Sequence, residues 1–301
     1  MKTITLSLLF CLAPGLAPAQ QDPIYAQYLL NPLMINPAYA GLNNNLNAIA
    51  GYRTQWMGLE GQPQTINASL HTSLVQNKVG AGLLVSSDCL GSLNATEINA
   101  SFAYKLLLRK SAFSFGMQGG TQNFRNDYSQ LNPFDKTDFA FTGGERGTRL
   151  NLGAGLALKS ERYFIGLSVP RLLPTTFKSG DAQFDLYNQH LYLMGAYVHY
   201  LNERIRLKPS VLLRGVKGAP PSVDVAFNIN LNAIHTAGIF SRNFNTYGLL
   251  LQTLLKDQYR FGYVFEVPTG KSVGTQFTTH EVMLGIQLSA FSFHERFLSN
   301  F

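Results

Sequence analysis

The chain has little cysteine, little charge and, beyond its first residues, no long apolar run. Its two cysteines are Cys11 and Cys89. Cys11 falls in an apolar run from Ile4 to about Leu12, which follows Lys2 and precedes Ala17-Pro18-Ala19, an A-x-A cleavage pattern. Residues 1–19 therefore read as a secretory signal peptide cleaved near Ala19. Its removal leaves Cys89 alone and excludes an intramolecular disulfide. Charged residues are 14% of the sequence, and no later stretch approaches the ~18 consecutive apolar residues of a spanning helix. That excludes a helical membrane protein. The net charge of +7 comes without a basic cluster interleaved with aromatics, which argues against nucleic acid as a partner.

Chemistry is equally scarce. There is no nucleophile elbow, P-loop, dinucleotide fingerprint, H-E-x-x-H pair or paired-cysteine site. His71, His190, His199, His235, His280 and His294 are scattered without metal-ligand spacing. The expectation is no enzyme, no metal and no cofactor; a Ser, a His and an Asn converging from neighbouring strands is the catalytic arrangement that spacing alone leaves open.

What the chain does have, from Leu46 onward, is a period of two. Val223, Val225, Phe227, Ile229 and Leu231 alternate with Asp224, Ala226, Asn228 and Asn230. Tyr259, Phe261, Tyr263, Phe265 and Val267 alternate with Arg260, Gly262, Val264 and Glu266. Strands are expected at residues 46–56, 64–75, 79–87, 95–108, 112–123, 149–159, 162–169, 189–200, 205–215, 222–231, 233–242, 247–254, 258–267 and 278–289. Many are about 10 to 12 residues long, the length of a tilted strand crossing a bilayer, where soluble strands average about 5 or 6. The connections read as strictly alternating short and long, which predicts short periplasmic turns, long outer loops and both termini periplasmic. The expected fold is all-β: a transmembrane antiparallel β-barrel of about 14 strands over residues 46–289, followed by a tail at 290–301, in the outer membrane and in contact with its lipid.

Residues 20–45 precede this barrel. Asp22-Pro23, Asn31-Pro32 and Asn36-Pro37 forbid a long helix, since proline disfavours the α region in the residue before it. Two short helical turns are expected, with Asp22 and Asn36 as caps, Asn31 closing the first turn and Gly41 the second. Tyr25, Tyr28 and Leu29 share one face, and Tyr39 follows in the second turn. Two roles fit: a plug folded up into the barrel, or a periplasmic docking arm.

Two further groups of candidates come from strand phase and loop length. If Leu207, Val211 and Leu213 face lipid, Arg206, Lys208 and Arg214 face the lumen, joined by Arg260 and opposed by Glu266 and Asp224. They read as charges paired across strands, or as the lining of a cavity that receives a peptide. The two longest loops carry Arg125, Tyr128, Phe134, Phe139 and Arg146, and Arg171, Phe177 and Tyr187. That mixture suits a polar protein interface with aromatic anchors.

The stretch D-P-x-x-x-Q-Y-x-x-N-P-x-x-x-N-P-A-Y-A-G at residues 22–41 resembles the N-terminal hallmark of the PorP/SprF family of type IX secretion proteins. Further along, Tyr52-Arg53-Thr54-Gln55-Trp56 with Gly61-Gln62-Pro63, residues 80–88, 162–168 and 209–214 with Pro221 and Asp224, and Thr279-His280-Glu281-Val282-Met283-Leu284-Gly285 resemble the family's later landmarks. The resemblance implies an outer-membrane barrel acting with other type IX components. It implies secretion and surface anchoring of a partner, such as a gliding-motility adhesin, through that partner's type IX C-terminal domain, and it carries no catalytic site. The alternative is a transporter of hydrophobic small molecules similar to the long-chain fatty-acid transporter class.

Overall fold

The computed structural model describes residues 26–127, 144–173, 175–179, 182–187, 189–216, 219–270 and 275–294. The strands are β1 (Leu46–Thr54), β2 (Gln64–Leu74), β3 (Val79–Leu90), β4 (Leu93–Leu107), β5 (Ser111–Asp127), β6 (Gly144–Ser160), β7 (Tyr163–Val169), β8 (Thr175–Ser179) and β9 (Ala182–Tyr187). They continue as β10 (His190–Tyr197), β11 (His199–Tyr200), β12 (Ile205–Val216), β13 (Ala219–Leu231), β14 (His235–Arg242), β15 (Thr246–Leu255), β16 (Tyr259–Pro268) and β17 (Thr279–Leu288). Neighbours pair antiparallel, β7 passes to β10 and β10 to β12, and β1 pairs with β17, so the sheet closes on itself. β10 and β11 are one wall strand interrupted at Val198, and β8 with β9 forms a separate hairpin. The wall thus has the expected 14 strands.

The alternation that marks each strand is turned inside out relative to a soluble protein. On β2, Thr65, Asn67, Ser69, His71 and Ser73 are buried, while Ile66 and Leu70 are 61% and 45% exposed. The same inversion runs around the barrel, with Phe102, Met117, Leu152, Ile165, Ile239 and Leu284 all exposed. Large apolar side chains outward and polar ones inward are stable only where the outer face meets lipid. At one end the hairpins close on consecutive left-handed residues, as at Gln76-Asn77, Asn232-Ala233 and Lys256-Asp257, whose backbone twist matches that of the flanking strands.

The strict alternation of short and long connections does not hold. At the other end, β3 passes to β4 through Gly91 and Ser92 alone, and Asn243–Asn245 joins β14 to β15 as tightly as any turn at the first end. The reason is strand length: β3–β6 continue past the apolar girdle, and pairing extends to Leu90↔Leu93 and Asp127↔Gly144. Residues that read as loop are thereby drawn into a tall blade of sheet.

The segment before β1 forms three 3-10 turns rather than two helical ones: Ala26–Leu29, Pro32–Met34 and Pro37–Tyr39. The extra turn arises because Pro32, like Pro37, sets φ at the start of a turn. Asn31 N–H closes the first turn on Gln27 O at 2.7 Å, and the Asn36 side chain accepts from Ala38 N–H at 2.9 Å. Gly41 ends the run at φ +65, with Thr72 and Gly80 against its backbone. Nearly every residue from Ala26 to Asn45 is buried. Ala26 lies beside Glu281 and Arg53, at the opposite end of the barrel from Leu46. The segment therefore runs along the lumen, and the described chain begins at the end opposite the one expected for the N-terminus.

Candidate functional site in the barrel lumen

The inward face of the wall and the segment inside it were built for each other. Both Glu281 oxygens accept backbone amides of the segment, from Ala26 and Gln27 at 3.1 Å each. Asn67 donates to Gln27 Oε1 at 2.7 Å, and Asn31 donates to Ser69 Oγ at 2.8 Å. Ser168 donates to Ile35 O at 2.6 Å, Asn36 to Leu156 O at 3.0 Å, and Ser114 to Ala38 O at 2.7 Å. At the Leu46 end, Lys105 donates to Gly41 O and Asn44 Oδ1 at 2.6 and 2.9 Å, while Lys159 reaches Leu42 O and Asn43 Oδ1 at 3.1 and 2.8 Å. Gly41 N–H donates to His71 Nδ1 at 3.2 Å. These partners sit on β2, β4, β5, β6, β7 and β17.

On its other faces the segment packs into an apolar cluster set among the polar and charged side chains of the lumen. Tyr28, Leu29, Leu33 and Tyr39 join Phe164, Met194, Leu212, Phe240, Leu250 and Val264 in one buried core. Tyr39 meets Phe164 and His71 edge-on at ring distances of 5.9 and 5.8 Å. The Tyr28 hydroxyl approaches Asp224 at 3.5 Å, and burial, then the Asp224 carboxylate, push its pKa well up. A cavity of about 20 Å³ remains between Leu29, Leu30, Tyr39, Phe164, Met194 and Lys208, room for one water-sized occupant.

Of the expected segment residues, Tyr28, Asn31, Pro32, Asn36, Pro37, Tyr39 and Gly41 are thus buried in the lumen; Asp22, Pro23 and Tyr25 lie outside the described residues. The six inward charges have the expected phase. Arg214, Asp224, Arg260 and Glu266 are buried, and Arg206 and Lys208 are half-buried on the same face of β12. Their partners are mostly others. Asp224 binds Arg242 at 3.0 Å, Glu266 lies 3.8 Å from Arg53 and 3.6 Å from Arg242, and Arg53 binds Glu281 at 2.8 Å. Arg260 donates to Gln287, and Arg206 stacks over the Tyr200 ring. Arg53, Arg242 and Glu281 form the hub of this network; Arg53 and Glu281 lie in the motifs that carry the family resemblance but are not among the six expected lumen charges, and Arg242 is not singled out by sequence although it shares the inward phase of Phe240 on β14.

The loop candidates separate. Arg171 turns inward to the buried Glu97, which also accepts from Asn99 and Asn151, and this latch fastens the connection after β7 to the inner face of β4–β6. Arg125 and Arg146 stand opposite each other on the outward face of β5 and β6. Phe177 lies on β8 and Tyr187 on β9; Tyr128, Phe134 and Phe139 lie outside the described residues.

Among solved structures, the chain is similar to the CymD monoaromatic hydrocarbon channel at 11% identity and a TM-score of 0.50, over 88% of this chain and 92% of that one. It is also similar to the Acinetobacter baumannii outer membrane protein Omp33 at 9% identity and a TM-score of 0.47, over 83% and 99% of the two chains. These likenesses speak to the fold alone. No curated protein matches the chain. The model of one family, described as type IX secretion system membrane protein PorP/SprF, matches residues 17–286, and the chain belongs to that family.

Proposed function

We propose that this outer-membrane component of type IX secretion is a partner-specific anchor, holding a secreted protein by its C-terminal domain at the cell surface, a gliding adhesin being one such partner. It is neither an enzyme nor the main conduit. In this reading the signal peptide is removed near Ala19, and the barrel end carrying Leu46 and Leu288 faces the periplasm and the other secretion components. The observation that supports it is the occupied lumen. A route through the barrel would have to dislodge a segment hydrogen-bonded to β2, β5, β7 and β17 and continuous with β1. With residues 26–45 acting as a plug, a folded partner is left the far end of the barrel, where β4–β6 project and the β8–β9 hairpin carries Phe177 and Tyr187. Among the described residues, the cavity beside the segment holds no more than a water-sized occupant, which gives transport of hydrophobic small molecules no comparable support there.

Affinity purification of the protein from native membranes tests the anchor. One large secreted protein is expected to co-isolate, and deletion of residues 128–143 is expected to release it while the barrel still assembles. Recovery of a fatty acid with no protein partner would favour transport instead.

A further inference from the structure

At the end of the barrel far from Leu46, the wall is incomplete on one side of β6. That strand has 17 residues, but β7 pairs with it only from Ala154↔Val169 to Lys159↔Phe164. Beyond this ladder Leu172 N–H reaches Leu152 O at 2.7 Å, and no further backbone partner follows among the described residues. The β8–β9 hairpin, which succeeds β7 in the chain, forms its own two-stranded sheet and does not pair with β6. β5 covers the other side of β6 as far as Asp127↔Gly144. Residues 144–150 are therefore an edge strand, about 20 Å long.

A residue in an antiparallel strand directs its N–H and C=O to the same side, and its neighbours direct theirs to the other. Leu152 O faces the β7 side, so Leu150, Thr148 and Arg146 turn their donors and acceptors to the open edge, while Asn151, Arg149 and Gly147 use theirs on β5. Nothing blunts this edge: it has no proline, and the β5–β6 register runs through it without a bulge. Leu150, the last apolar outward residue of β6, is 71% exposed, which puts the start of the edge at the lipid boundary, where unpaired backbone groups are costly. A straight, open edge is a template for another strand. Behind it the chain is pinned, with Gln118 and Asn151 donating to Pro170 O at 2.9 and 3.3 Å and Arg171 bound to Glu97. The notch thus has a fixed floor.

We propose, resting on the surface-anchor reading given above, that the open edge of β6 receives an extended strand of the anchored secreted protein, antiparallel to β6 and hydrogen-bonded to the backbone of Arg146, Thr148 and Leu150. A row of alternating donors and acceptors calls for a polypeptide and sets aside a lipid or a free ion. A second copy of this chain does not fit. Copies inserted the same way in one membrane run their β6 strands in the same direction, whereas a strand pair with two-fold symmetry is antiparallel. Arg146 and Arg149 are exposed on opposite faces of the edge, so the incoming strand carries a carboxylate on each face.

Hydrogen–deuterium exchange on the full-length protein tests this, alone and in complex with the secreted protein that co-purifies from native membranes. The amides of Arg146, Thr148 and Leu150 are expected to exchange fast in the isolated barrel and to slow by about tenfold or more in the complex, while those of Gly147, Arg149 and Asn151 are slow in both. Thr148→Pro removes an N–H that the β5–β6 ladder does not use, so the barrel should fold, and retention of the secreted protein should fall about tenfold. Thr148→Val loses the same bond to Asn123 but keeps the N–H, and should retain the partner as the wild type does. Equal retention in Thr148→Pro and Thr148→Val, or fast edge amides in an intact complex, would overturn strand addition while the anchor stands. Slow edge amides in the barrel without the secreted protein would overturn it in favour of a lipid or a second copy. A wild type that co-purifies with no secreted protein would overturn the anchor itself, and strand addition with it.

Discussion

Arg53 and Glu281 stand directly opposite each other across the seam where β1 meets β17, joined by Arg53 Nε to Glu281 Oε1 at 2.8 Å. The same carboxylate takes the Ala26 and Gln27 amides, so one residue both ties the closing strands and holds the far end of the lumen segment. Glu281→Ala should cost about 3–5 kcal/mol, because it strands a buried guanidinium and two amides together. Unfolding in detergent measures this. The double variant Arg53→Met/Glu281→Leu should recover part of the loss, since no unpaired charge remains; if it is as unstable as Glu281→Ala, the pair is not the reason.

At the other end the segment is seated by close backbone approach. A methyl group at Gly80 would lie 1.9 Å from Ala40 O, a main-chain atom with little freedom to move. Gly80→Ala is expected to lift the segment at a cost of about 1–3 kcal/mol and to speed chymotryptic cleavage after Tyr28 and Tyr39. Cleavage at the wild-type rate would show that the contact is not tight.

Burial pushes the Tyr39 hydroxyl from 10.0 up to about 12. A raised folded-state value means that the contribution is complete below about pH 10. It is lost as pH rises from there toward 12. Stability should fall over that window in the wild type and less steeply in Tyr39→Phe. Parallel curves for the two proteins would contradict it.

The Glu97 latch on Arg171 makes the connection after β7 part of the lumen wall rather than a free loop. Glu97→Gln should loosen it, seen as faster tryptic cleavage at Arg171 and Lys178 with the barrel intact. An unchanged digestion pattern would mean that the Asn151 and Gln118 bonds to Pro170 O hold the connection without the ion pair.

The strands were legible because lipid and lumen impose opposite demands on alternate residues, as Val223 to Leu231 illustrates. The blade was not. Outward positions such as Arg125 and Thr148 leave the apolar belt and become polar, so a paired strand there carries the composition of a loop. Inward phase was equally readable for Asp224 and Glu266, but their partner Arg242 depends on register across β13–β16, which no single strand encodes. The segment's prolines announced its turns, whereas its course along the lumen is set by partners more than a hundred residues away, such as Leu156, Ser168 and Glu281.

The most direct test of a plugged, anchoring barrel is conductance in a planar bilayer of the wild type beside a variant lacking residues 22–39. The account predicts a silent wild type and a variant that opens a stable aqueous path, since the deletion empties a polar-walled lumen. A wild type that conducts, or a deletion that folds and stays silent, would contradict it.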